Sequence, residues 1–108
     1  MVKKKKLAIL WDEKAKESLD KIYEYVAMDS VEAARYVKRE LIRLAGSLND
    51  FPEKYPKEAC LKDEPEDYRF ATKWSYKIIF EITNESIIIA AIFHTSQHPA
   101  KIKRIKKE

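Results

Sequence analysis

Three cations and an imidazole set the chemistry that this sequence can offer. Arg69, Lys73 and Lys77 fall on or beside neighbouring candidate strands, and His94 ends a long apolar run that continues as Thr95-Ser96-Gln97-His98-Pro99. A sheet bearing guanidinium and ammonium groups can grip RNA. It can also stabilise the charge that builds on a phosphate when a neighbouring 2′-hydroxyl attacks. His94 or His98 can then donate a proton to the leaving oxygen. A plainer reading stands beside this one, with Arg69 as half of a structural ion pair and His94 as a capping side chain at a strand end.

Other chemistries lack their residues. The single glycine, Gly46, cannot build a phosphate-cradling loop. The lone Cys60 permits neither an internal disulfide nor a cysteine pair for zinc, and no local histidine stands beside it to activate a thiol. His94 and His98 lack the further ligands that a metal needs. No cofactor or metal is therefore expected. Glu81 is the one carboxylate within an apolar strand, and alternation places it on the outward face.

The elements that position these residues follow from periodicity. Residues 6–11, with Ile9 and Trp11, suit a first strand. Asp12 can cap a helix over about 13–28, in which Leu19, Ile22, Tyr23 and Val26 form one apolar face. Asp29 and Glu32 fit a capping box. A second helix over about 31–48 buries Ala34, Val37, Leu41, Leu44, Ala45 and Leu48. So short a join makes the two helices an antiparallel hairpin. Phe51-Pro52 and Tyr55-Pro56 open a polar connector over roughly 50–66. Strands are expected at 68–73, 76–82 and 87–94, with a turn at 83–86. The unbroken apolar run 87–93 predicts a central strand covered on both faces. The helical hairpin covers one face, and a partner or the chain ends must cover the other. The fold class is α+β, in the order β-α-α-β-β-β, with an antiparallel twisted sheet packed against an N-terminal helical hairpin.

The 108 residues suit a single domain, with basic tails at 1–6 and 100–108. The formal net charge is +4 and 45% of residues are hydrophobic, enough for one core. Lysines crowd both ends, where they can attract a polyanion or merely keep the tails solvated. The N-terminal lysines begin like a signal peptide, yet the apolar run stops at Asp12, far short of a secretory core. No stretch reaches the roughly 18 apolar residues of a membrane helix. With one unpaired cysteine, a cytoplasmic protein without a membrane partner is expected.

Taken together, the chain resembles the RelE/ParE toxins of type II toxin–antitoxin systems. The resemblance spans most of the sequence. It runs from the strand ending in Trp11, through Ala15, Leu19, Ile22, Tyr25-Val26, Ser30, Ala33-Ala34 and Leu44, Leu48, Phe51-Pro52. It is most specific in Tyr68-Arg69, Tyr76-Lys77-Ile78-Ile79-Phe80-Glu81-Ile82, Ile87 to His94, and Gln97-His98-Pro99. It implies a growth-arresting toxin held inactive by a cognate antitoxin, whose tail lies across the helices and sheet. It also implies assembly with that antitoxin or with further copies of the toxin. The family divides by target. RelE-like members cut mRNA on the ribosome, and ParE-like members inhibit DNA gyrase. Arg69 and Lys77 stand in positions that resemble the family's basic residues; with His94 they are the candidate catalytic set of a nuclease, and Lys73, Gln97, His98 and Lys101 are candidate contacts to nucleic acid or target. The RelE-like ending, with a Tyr or His near the terminus, is missing, and the helical hairpin with the Phe93-His94 ending is closer to ParE. Gyrase inhibition is the favoured reading. The alternatives are an mRNA endonuclease and, apart from the resemblance, a small basic nucleic-acid-binding module.

Overall fold

Asp12 ends the first strand, β1 (Ala8–Trp11), and starts the first helix, α1 (Glu13–Ala27). The computed structural model describes residues 6–97 and 99–105. His98, the lysines at 3–5 and those at 106 and 107 lie outside them. The Asp12 carboxylate accepts the Lys14 backbone N–H at 2.9 Å, and Glu13 places its charge in the first turn, where the helix dipole favours an anion. Ala15 and Leu19 point inward and Ile22 packs beside them. The second helix, α2 (Val31–Gly46), is capped by Ser30, whose Oγ accepts the Ala33 N–H at 3.1 Å. The cap thus falls one residue beyond the expected Asp29. The Asp29 N–H still closes the end of α1 on the Val26 carbonyl, which leaves Ser30 as the first residue free to cap.

The connector contains two 3-10 turns, Pro52–Lys54 and Ala59–Leu61. Then come β2 (Asp67–Lys73), β3 (Tyr76–Ile82) and β4 (Ser86–His94). Residues 100–103, read from sequence as part of a basic tail, form one helical turn, α3 (Ala100–Lys103). The strand order is β1-β4-β3-β2. β2–β3 and β3–β4 are antiparallel, and β1 joins β4 in parallel. The twisted sheet is therefore antiparallel as expected except at one edge, where the β1–β4 pair is parallel. β1 is followed by a helix pair rather than a hairpin, so nothing obliges it to run opposite its neighbour.

β4 is central and covered on both faces, as its apolar run predicts. On one side Ala15, Leu19, Leu41, Ala45 and Leu48 pack over Ile78, Phe80, Ile87 and Ile89. On the other, Leu61 from the connector and Ile102 from α3 close over Tyr68, Ile79 and Ala90. The chain end and the connector thus supply the second cover. Between Ile79 and Phe80 the β3–β4 register shifts, so that Ile79 faces Ala91 while Phe80 faces Ile89. This bulge changes the phase of β4. Ile87 and Ile89 lie under the helices, Ala90 on the far side, and Ile92 under the helices again. No helix among the described residues is long and apolar enough to cross a membrane.

Candidate functional site

The bulge decides where His94 points. With strict alternation from Ile87 and Ile89, His94 would face away from the helices. The extra residue turns it to the α1 side, where its ring meets Tyr76 edge-on at 5.5 Å between centroids. There it lines an open groove of about 650 Å³, with Lys21 and Tyr25 of α1, Tyr76 of β3, and Ser96 and Gln97 beyond the strand. The loop is fixed by its own polar groups. Gln97 Oε1 accepts the His94 N–H at 2.8 Å, and the Ser96 N–H donates to His94 Nδ1 at 3.1 Å. A backbone N–H can only donate, so this network assigns Nδ1 as acceptor and puts the ring proton on Nε2. Ser96 Oγ lies 2.7 Å from the same nitrogen. Nε2–H is then a hydrogen-bond donor at the groove. Burial, and secondarily the neighbouring Tyr25, push the Tyr76 phenol above its ordinary range, so it too is a neutral hydroxyl there.

Arg69 sits elsewhere. It shares the helix-side face of β2 with Ala71, and its guanidinium is spent on the fold. Nη1 donates to the carbonyls of Glu53 at 3.0 Å and Tyr55 at 2.8 Å, and Nε donates to Asp67 Oδ1 at 3.1 Å. It ties the connector to the edge strand. Lys77 is on the opposite face, with its Nζ 4.2 Å from the centroid of the Phe70 ring. Its ammonium lies against Glu58 Oε1, and the Glu58 side chain is only 2% exposed. That oxygen has no partner of hydrogen-bond geometry, so ionic attraction to Lys77 is what offsets its burial. Glu58 Oε2 accepts the Cys60 N–H at 2.9 Å. Burial first, and then Glu58, raise the Cys60 thiol above its ordinary range, which disfavours a reactive thiolate.

Of the candidate residues, His94 and Gln97 therefore share one groove. Lys101 lines an adjoining one with Lys21 and Arg104. Lys77 approaches His94 only at a small cavity of about 140 Å³ at the sheet end. Arg69 and Lys73 lie apart from both, Lys73 with its Nζ 4.0 Å from Glu40 of α2. Among the described residues, no three His, Cys, Asp or Glu side chains form a group that can hold a metal. Sequence reading missed Lys21, Tyr25 and Tyr76 as neighbours of His94, since nothing in a β-strand pattern reveals a bulge. It also missed Glu58, which lies in a stretch of ordinary polar composition.

Comparison with known proteins gives two findings. The family described as "ParE toxin of type II toxin-antitoxin system, parDE" matches residues 9–99. Among solved structures, a chain of the chromosomal ParDE TA system from P. aeruginosa superposes with a TM-score of 0.64 at 20% identity. The match covers 82% of this chain and 95% of that one. At that identity the likeness speaks for the fold. No curated protein matches the sequence.

Proposed function

The chain belongs to the family of ParE toxins of type II toxin–antitoxin systems, and from that premise we propose that it arrests growth by inhibiting DNA gyrase until a cognate antitoxin binds it. The observation that carries this reading over RNA cleavage is the separation of the basic residues. Arg69 is committed to Asp67 and two carbonyls on one face of the sheet, and Lys77 to buried Glu58 on the other. Stabilising a pentavalent phosphorus needs cations converging on one point in a preorganised site. A general acid at His94 needs a second ring proton, on the nitrogen that accepts the Ser96 N–H. Inhibition by binding requires neither. In this reading His94, Gln97 and Lys101 contribute target contacts at the α1–β4 end of the sheet, and Arg69 and Lys77 keep the scaffold in shape. The deciding experiment is tightly induced expression in bacteria, with transcript ends mapped and supercoiling assayed on purified gyrase. Growth arrest with intact transcripts and blocked supercoiling is expected, relieved by co-expression of the antitoxin. New transcript ends with unimpaired gyrase would instead establish the nuclease alternative.

A further inference from the structure

A second surface adjoins the His94 end of the sheet, at the β2–β3 turn whose Ser75 carbonyl accepts the Thr95 N–H at 2.7 Å. Tyr36 of α2 and Trp74 of the β2–β3 turn are 48% and 51% exposed, and their rings lie 5.8 Å apart at 46°. Cations flank the pair. The Arg39 guanidinium carbon is 5.4 Å from the Tyr36 centroid, and Lys73 Nζ is 5.0 Å from that of Trp74. Cation, ring, ring and cation thus follow one another across the surface. Beneath them Glu40 is the carboxylate nearest to Arg39, Arg43 and Lys73, at 3.9, 3.5 and 4.0 Å. Its side chain is 13% exposed, against 62%, 72% and 38% for those three cations. The anion lies inside and the cations fan outward, so the face presents two uncompensated positive charges around two accessible π-systems. We propose that this face of α2 and the β2–β3 turn binds single-stranded nucleic acid, with Tyr36 and Trp74 stacking on bases and Arg39, Arg43 and Lys73 holding phosphates.

Two features favour that ligand. The backbone of the turn gives no reason for tryptophan at position 74, and the contact with Tyr36 leaves half of its surface open. Lys73 pairs directly with Tyr76, leaving a two-residue turn, and Trp74 occupies its first position at φ 52°, where glycine or asparagine is the unstrained choice. A large ring held there against backbone strain, and half exposed, points to a contact outside the chain. The combination of outward cations with exposed rings is also the one that single strands use. Every unpaired base offers a π-face, whereas duplex bases are already stacked on each other. An acidic protein surface would match the cations, but only a flexible single strand brings a stacking face and a phosphate together at every residue.

The test uses the full chain made by cell-free translation and a fluorescein-labelled oligodeoxythymidine of about twelve nucleotides, within the span such platforms engage. Anisotropy is followed across a salt series. Trp74→Gly removes the ring while relaxing the backbone, and is expected to weaken binding roughly tenfold with the circular dichroism spectrum unchanged. Tyr36→Leu gives an independent loss of similar size, and serves alone should Trp74→Gly fail to fold. Arg39→Gln with Arg43→Gln is expected to flatten the salt dependence by roughly 0.7 in log–log slope per phosphate contact removed. Equal affinity of parent and Tyr36→Leu, or equal competition by a duplex of the same length, overturns the proposal. So does an absence of binding by the parent chain. Growth arrest plays no part in this readout, so its failure and the failure of the gyrase reading are distinguishable.

Discussion

Lys77 shows how a residue can be indispensable without touching a substrate. Its ammonium lies against a carboxylate that is 2% exposed, and removing one partner of a buried pair leaves the other uncompensated. Lys77→Met should lower unfolding free energy by about 3 kcal/mol in urea titration. Lys77→Met combined with Glu58→Leu should recover much of that loss, because an apolar pair of similar volume has no charge to solvate. Arg69→Ala will likewise free two carbonyls and the Asp67 carboxylate together. Loss of toxicity on replacing Arg69 or Lys77 therefore identifies a catalytic cation only if the variant is shown to fold. Cys60 gives a second test at this scale. Burial and the adjacent Glu58 hold its thiol in the neutral form. Iodoacetamide should accordingly modify it more slowly than a free thiol at pH 8, with the rate still rising at pH values where an ordinary cysteine has levelled off. A rate equal to that of glutathione would contradict the upward shift that partial burial and Glu58 impose on the thiol.

The elements differ in how plainly their residues announce them. α1 and α2 are legible because apolar side chains recur with helical spacing and small polar residues precede each start. The cap of α2 was one residue out, since Asp29 and Ser30 are both good capping residues and only the exit path of α1 chooses between them. Ser30→Ala should cost about 1 kcal/mol in thermal unfolding, with Asp29→Ala nearly neutral. The three C-terminal strands are legible from β-branched runs and the turn between them. The parallel partner of β1 is not, because pairing between distant segments leaves no local pattern. The bulge in β4 is equally hidden. The run Ile87-Ile88-Ile89-Ala90-Ala91-Ile92 is apolar throughout, so no polar residue marks the point where the alternation slips. That slip turns His94 toward α1, so the sequence makes His94 legible but not the neighbours it meets there.

At the scale of the whole molecule, the sheet is closed by two covers of unequal weight. The helical hairpin buries a broad cluster, while the opposite face is covered by Leu61 and Ile102 over Tyr68, Ile79 and Ala90. Ile102 is 7% exposed although it lies in a segment dominated by lysine and arginine. Ile102→Ala should cost about 2–4 kcal/mol. Hydrogen exchange should show that loss as faster opening of α3 and the connector, with the α1–α2 hairpin protected as before. Equal acceleration in both layers would mean that the two faces are one cooperative unit.

The parallel pairing of β1 with β4 has a consequence for how the chain is born. Ala8 meets Ser86, so the first of the four described strands to be made waits for the last. At about 5–20 residues per second, several seconds or more separate the two. Through that interval the helical hairpin, and later the β2–β3 hairpin, have their neighbours present, but β1 has no strand to join. β1 is joined to the rest of the sheet only when β4 slots between β1 and β3, so a nascent chain interrupted before that strand emerges carries a helical hairpin and a β-hairpin with nothing to link them into one sheet.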